Sequence, residues 1–228
     1  TATDAKKAAD SDHGIEVALF GRMVADSKDL NVDSAVQVAH ALSTHAVEIE
    51  SDYLTAVDDY KLDEDDAGAG MIGTVEFTSE TLYRFATVAV STLKDNLGDV
   101  DLTAQAASAF VRGFIMSMPT GKQNTFANNT IPDAVVVQVR KGRSASFIGA
   151  FEDPVTSDDG GFVAASCQAV AAYAHDCEEA FLGAPEASFV TRVGSRTEAI
   201  GTMGTQMPID DLVSSVRDQV TSLLQDES

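Results

Sequence analysis

The sequence predicts an α+β domain in which helices pack on an antiparallel sheet. Three observations predict it. Several segments alternate apolar and other residues with the period of a strand. Longer segments carry apolar residues at helical spacing, with clear starts or stops. From Leu102 onward the order reads helix, strand, strand, helix, strand, helix. A ferredoxin-like or RRM-like arrangement is the natural candidate for that order.

The elements follow along the chain. Thr1–Gly14, "TATDAKKAADSDHG", is polar, and residues 1–13 read as disordered or linker. Because Thr1 is not Met, the chain reads as a fragment. The domain runs over residues 14–228. "GIEVALFGRM" (Gly14–Met23) alternates and reads as a strand ended by Gly21, Arg22 and Met23. "VADSKDLN" reads as a loop. Asp33–Glu50 has period-two character at Val36, Val38, His40 and Leu42 and reads as one long strand, with a helix as the other reading.

Ser51–Phe77 follows, with Tyr53 and Leu54 next to a run of acids and glycines and the pair Met71–Ile72 on the far side. It reads as a hairpin inserted at about 51–77. Its acidic and glycine residues offer little to bury, so the tip between Tyr60 and Gly70 is expected to move.

Thr81–Leu93 is rich in β-branched and aromatic residues and reads as a strand. Leu102–Met118 reads as a helix with Ala106, Phe110, Phe114 and Met118 on one face and Pro119 as its stop. "TGKQNTFANNT" reads as a polar loop. Ile131–Arg140 and Arg143–Phe151 read as strands joined by a Lys141–Gly142 turn. Gly160–Gly183 reads as a helix closed by glycine, Ala187–Val193 as a strand, and Pro208–Asp226 as a helix with proline at its start and acids in its first turn.

Composition limits the functions available. The chain has 228 residues, 44% of them hydrophobic, so a packed core is within reach. Aromatics are 7% and Trp is absent, so Val, Ala, Leu and Phe must fill most of it. Lys plus Arg total 15 against 36 Asp plus Glu, a formal charge of −21. That argues against non-specific nucleic-acid binding through a broad basic surface, but leaves room for a local basic groove. Cys167 and Cys177 lie about 15 Å apart along a predicted helix, too far for a disulfide. Free thiols fit a reducing, cytoplasmic setting. No apolar run reaches the ~20 residues of a membrane span, so no membrane partner is expected.

Motifs for chemistry are sparse. The sequence holds no Walker motif, GxGxxG, GxSxG or HExxH, and no cofactor is expected. His40 and His45, five apart on a predicted strand, fall on opposite faces and read as ordinary strand residues. Asp58, Asp59 and Asp63–Asp66 cluster without the spacing of a calcium loop and read as a solvated stretch. "PTGKQNTF" (Pro119–Phe126) is the one loop suited to an anion. Gly121 permits close backbone approach, Lys122 brings charge, and Gln123, Asn124 and Thr125 bring neutral donors. Such loops are common, and on this evidence alone an ordinary connection is the plainer reading. Met23 beside Arg22 has two readings, packing on a base or on a neighbouring loop.

Several stretches together carry a resemblance. They are "IEVALFGRM", "DSAVQVAHALSTHAVEIESDYLTAVDD", "GTVEFTSETLYRFATVAV", "LKDNLG" and "PTGKQNTFANNTIPDAVVV". In this order they resemble the CasC family, the CRISPR-RNA-binding backbone subunit of the type I-E Cascade complex. The similarity covers roughly Ile15 to Val137. Beyond Val155 it rests on "DGGF" near Gly160 and on "QMP" before the last helix.

The resemblance implies an RRM-like palm with a helical finger region and a protruding thumb. It implies a non-catalytic subunit whose copies assemble head to tail along one guide RNA. Each thumb presses on the neighbouring copy's RNA segment and displaces one base, and target DNA is then read by the guide. Partners would be CRISPR RNA, further copies of the chain and other Cascade subunits.

By position, Met23 corresponds to a Met that wedges beside the displaced base. Tyr53 and Leu54 correspond to an aromatic pair at the thumb base. Leu54 departs from that pattern, since it can wedge but stacks poorly. Ile72 corresponds to an apolar residue on the returning thumb strand, and Lys122 and Gln123 to a loop near the guide backbone. Family members are longer, and the part preceding this chain would carry the first palm strand and a basic helix. This polypeptide alone is therefore expected to bind RNA poorly.

Two other classes compete. One is a ribonuclease of the related type III backbone kind, using a loop Asp such as Asp58 or Asp59. The other is a generic α+β oligomerisation module.

Overall fold

The computed structural model of the chain describes residues 14–56, 71–157 and 161–226. The α+β class is what it shows. Helix α1 spans Ile15–Phe20 and is followed by short strands β1 (Val36–Val38) and β2 (Leu42–Ser43). Strands β3 (Glu50–Ala56) and β4 (Met71–Phe77) form an antiparallel ladder. Strands β5 (Leu82–Tyr83) and β6 (Ala86–Val88) return to pair with β2 and β1. Helices α2 (Val90–Leu97), α3 (Val100–Met116) and α4 (Gln123–Phe126) lead into β7 (Ala134–Val139). Helix α5 (Val163–Cys177) is prolonged by a wider turn, Glu178–Leu182, and precedes β8 (Ala187–Arg192). A 3₁₀ segment (Ser195–Met203), β9 (Thr205–Gln206) and helix α6 (Ile209–Asp226) complete it.

The strands form small separate sheets. Every ladder is antiparallel except β8–β9, which closes the three-stranded sheet β7-β8-β9 in parallel. That sheet is covered on both faces, and the alternation along β7 decides which residue meets which helix. Val135 and Val137 pack toward Leu212, Val216, Val220 and Leu224, the i, i+4 stripe of α6. Ala134 and Val136 face Cys167, Val190 and Ile200. Helix α3 is the shared wall. Its Ala104 and Ile115 join the α6 core, while Ala106 and Ala107 join Ala18, Leu19, Val36 and Leu93. Asp99 caps it, its carboxylate accepting from the Leu102 amide at 2.7 Å.

Several sequence expectations need correction. Gly14–Met23 is not a strand: Ile15–Phe20 form helix α1, and Gly21–Met23 begin the loop after it. Ala18 and Leu19 are adjacent and both join one core cluster, whereas a strand would send neighbours to opposite faces. Gly21 closes α1 at φ 77, where a Cβ would meet the Val32 carbonyl oxygen at 2.8 Å.

The long strand expected over Asp33–Glu50 is broken into β1 and β2, with β3 starting at Glu50. Its partner sets that limit. Thr81–Leu93 supplies only β5 and β6 before turning into α2, whose Leu93 is fully buried and whose Gly98 stops the helix at φ 69.

Arg143–Phe151 is not a strand, so Lys141–Gly142 does not join a hairpin. Phe147 is buried there and its amide donates to the Tyr83 hydroxyl at 3.0 Å. A side chain has taken the place of a ladder partner, and β7 pairs with β8 instead.

The helix, strand and helix expected over Gly160–Gly183, Ala187–Val193 and Pro208–Asp226 match α5 with its turn, β8 and α6 to within a few residues. The expected linker 1–13, the tip Tyr60–Gly70 and the acids Asp58, Asp59 and Asp63–Asp66 lie outside the described residues.

Candidate nucleic-acid interface

The β3–β4 ladder is the part of the chain that turns from the core to solvent. Its register sets Glu50 opposite Phe77 at the root and Ala56 opposite Met71 at the far end. Tyr53 pairs with Thr74 and Leu54 with Gly73. Consecutive strand residues alternate, so Tyr53 and Leu54 serve opposite faces of the ladder. Tyr53 is 72% exposed and Leu54 54%. Ile72 stands opposite Thr55, a position on the Tyr53 face. Tyr53 and Leu54 are thus large apolar residues that no core receives.

The loop after α3 lies against the root of this ladder. Residues 119–130 are all exposed. Lys122 and Ala127 have left-handed backbone, φ 54 and φ 49, at either end of α4. Each costs a non-glycine residue about 1 kcal/mol, and together they fold Gln123–Phe126 into one tight turn. The Lys122 amine then rests 5.4 Å from the centre of the Phe126 ring. The Phe126 ring in turn lies 6.3 Å from that of Phe77. Lys122 is thereby tied to the ladder through two aromatic rings. Gln123 and Thr125 lie in the same turn, so the expected polar loop carries a short helix. No atom lies within 4 Å of a Cβ built on Gly121, so its surroundings are open for a backbone-close ligand.

Arg22 and Met23 occupy the loop between α1 and β1, after a helix and not after a strand. Arg22 is spoken for: its guanidinium donates twice to the Leu30 carbonyl, at 2.9 and 2.7 Å. It shapes the loop, and its backbone bridges to Val32. Met23 is 90% exposed and carries the loop's apolar contact to solvent.

A cation that sequence reasoning passed over is Arg84. Its guanidinium sits 4.5 Å over the Phe114 ring and donates to the Phe114 carbonyl at 3.0 Å. It satisfies the C-terminal end of α3, where carbonyls lack helical partners. Phe114 stacks on Phe110, and Phe110 meets Phe20 edge-on, each pair at 6.1 Å. The expected α3 face is therefore real at Ala106, Phe110 and Phe114, whereas Met118 lies beyond the helix end at Met116, and the outer part of the face is an aromatic row with a cation on it. The signal was the single Arg within "TLYRFATV", hidden by its reading as a strand.

Several other cations are committed within the fold. Arg112 pairs with Asp210 at 2.5 Å, Arg140 with Glu178, and Arg192 with Gln206 at 2.7 Å. Lys122 keeps its charge at the surface.

His45 also differs from its expectation. It lies outside any strand and is buried, with its ring stacked on Phe162. His40 is exposed. Among the described residues no group of three or more His, Cys, Asp and Glu could hold a metal ion. Among them, too, no helix is long and apolar enough to cross a membrane.

Comparison with known proteins identifies the family. The family model for CT1975-like proteins, a CRISPR-associated family, matches residues 1–215. No curated protein matches the chain. Among solved structures, a chain of a CRISPR RNA-guided surveillance complex in a pre-nicking state is 34% identical, with a TM-score of 0.80. That match covers 90% of this chain and 56% of the other. A chain of a second CRISPR RNA-guided surveillance complex is 35% identical, with a TM-score of 0.77, covering 88% of this chain and 78% of the other. The chain thus spans little more than half the length of the first of these relatives. With the family model matched over most of the sequence, the chain belongs to the CT1975-like family of CRISPR-associated proteins.

Proposed function

We propose that the chain is a guide-holding backbone subunit of a CRISPR RNA-guided surveillance complex. The observation that carries this reading is the exposed β3–β4 ladder, bearing Tyr53 and Leu54 and tied at its root to Lys122 through Phe77 and Phe126. In this reading the ladder is a thumb. Tyr53 and Leu54 wedge beside guide bases, position 72 contributes from the returning strand, and Met23 wedges from the body. Gly121, Lys122, Gln123 and Thr125 lie along the guide backbone, with Arg22 shaping the Met23 loop. The α+β body is the RRM-like palm.

The finer assignment is a CasC-type subunit of a type I-E Cascade. Copies stack head to tail along one CRISPR RNA, beside the other Cascade subunits. The guide finds target DNA by base pairing, for antiviral defence in the cytoplasm. The subunit itself does no chemistry and needs no cofactor. The likeness to chains of two surveillance complexes supports this reading.

The test uses the assembled complex purified from cells. A guide RNA of defined length should co-purify with it. Lys122→Gln should lower the salt dependence of guide release by about 0.7 in log–log slope, the share of one phosphate contact on a single strand. Recovery of RNA of random length and sequence, or of none, would show the reading to be wrong.

A further inference from the structure

The ladder has a slender root. Strands β2 and β5, which feed it, pair over only Leu42↔Tyr83 and Ser43↔Leu82. Beyond them β3 is exposed from Glu50 to Thr55, so no core sets the direction in which the arm leaves the body. His45 stands at this root. The outgoing stem begins at Ala46 and the returning stem ends at Thr81.

The imidazole of His45 fastens three pieces of chain. Nδ1 lies 2.7 Å from the Ala46 carbonyl oxygen. A carbonyl only accepts, so Nδ1 carries the proton. Nε2 is then the acceptor, and the Thr81 amide donates to it at 3.1 Å. The ring face stacks on Phe162, 3.7 Å between centres and 13° between planes, at the start of α5. Next to it the Ser166 hydroxyl donates to Thr44 Oγ1 at 2.8 Å, and the Thr44 amide donates to the Thr81 carbonyl at 2.9 Å. One buried ring thus joins the outgoing stem, the returning stem and a helix of the body.

We propose that His45 is the positioning residue of the arm. It fixes the angle at which the β3–β4 ladder presents Tyr53 and Leu54. Its consequence for RNA rests on the guide-holding reading above; the latch itself does not. His45 acts through the ladder and touches no ligand.

The experiment measures the arm's direction without RNA. Nitroxide labels are placed at Ser51→Cys on the ladder and Ser222→Cys on α6, in a Cys167→Ala, Cys177→Ser background. The parent should give one narrow distance distribution. His45→Phe keeps a ring on Phe162 but loses the acceptor, and should at least double the width of that distribution. His45→Gln restores an acceptor for the Thr81 amide and should be narrower than His45→Phe. A His45→Phe distribution as narrow as the parent's would overturn the proposal.

A measurement on the unmutated chain guards against a variant that does not fold. The Thr81 amide should exchange with solvent at least 100-fold more slowly than an open chain, while Ser79 stays close to the open-chain rate. Thr81 exchange within tenfold of that rate would likewise overturn the latch. In the assembled complex, His45→Phe should speed guide release about tenfold. Broadening with unchanged release upholds the latch and overturns the role given to Tyr53 and Leu54.

Discussion

Phe77, the last residue of the ladder, lies 6.3 Å from Phe126 with the two rings tilted at 53°. This contact connects an arm that leaves the body to a loop that carries charge. Both rings are partly exposed, at 37% and 42%, so the contact adds little to the core. Its effect is on position: it sets where Lys122 stands relative to the arm.

Replacing Phe126 separates the two effects. Phe126→Ala should cost at most about 1 kcal/mol of stability, the scale of an exposed aromatic pair. In the assembled complex it should nonetheless speed guide release severalfold, because the Lys122 amine loses the ring it rests on. Thermal melting and a release assay on the same variant check this. A large drop in melting temperature would mean the contact is structural after all.

Tyr53 should matter more than Leu54 to guide retention. An aromatic stacked on a base is worth on the order of 1–3 kcal/mol, so Tyr53→Ala should speed release about 5- to 150-fold. Leu54→Ala should have a smaller effect, and Leu54→Phe should slow release by adding a stacking face. Equal effects of the two alanine variants would show that packing, not stacking, holds the base.

Gly21 is a position that only glycine fits. At φ 77, with the Val32 carbonyl oxygen 2.8 Å and the Ser34 amide nitrogen 2.9 Å from a built Cβ, alanine meets rigid backbone on two sides. Gly21→Ala should destabilise the chain by roughly 2–4 kcal/mol, from left-handed strain and overpacking together. Equilibrium denaturation measures this directly. A change under about 0.5 kcal/mol would mean the α1–β1 connection is free to move.

Cys167 makes stability fall in alkali. Burial, with Asp133's charge adding to it, pushes its thiol up to about 11 from 9.0. The folded state therefore holds its proton through a range in which the unfolded chain has already lost it. Stability from this group is complete below pH 9, and declines as pH rises toward 11, by on the order of 2–3 kcal/mol. Cys167→Ala should flatten that decline in denaturation curves taken between pH 8 and 11. A thiol reagent at pH 8 should modify Cys177 and spare Cys167, since the thiolate is the reactive form. Equal labelling of both would contradict the burial argument.

The sequence by itself determined the elements whose signals are local and strong. Helices α3, α5 and α6 announce themselves through apolar spacing and end signals such as Pro119, Gly183 and Pro208. Strands β7 and β8 announce themselves through runs of β-branched residues. The ordered motifs from Ile15 to Val137 pointed to the family, and Tyr53, Leu54 and Lys122 were picked out as exposed or charged residues without an internal purpose.

Tertiary structure decided what short apolar segments become. "IEVALF" and "VSTL" have strand-like composition, yet Ala18, Leu19 and Leu93 are buried by the small residues Ala106 and Ala107 of α3, and only a helix presents them there. A strand lasts only as long as its partner, so Asp33–Glu50 broke where Thr81–Leu93 broke. His45, Arg84 and the Phe77–Phe126 contact were not legible because each depends on a residue distant in sequence: Phe162, Phe114 and the α4 turn. Periodicity records which face of a segment is apolar; it does not record which distant side chain will complete a hydrogen bond or a stack, and at this surface those distant partners set the geometry.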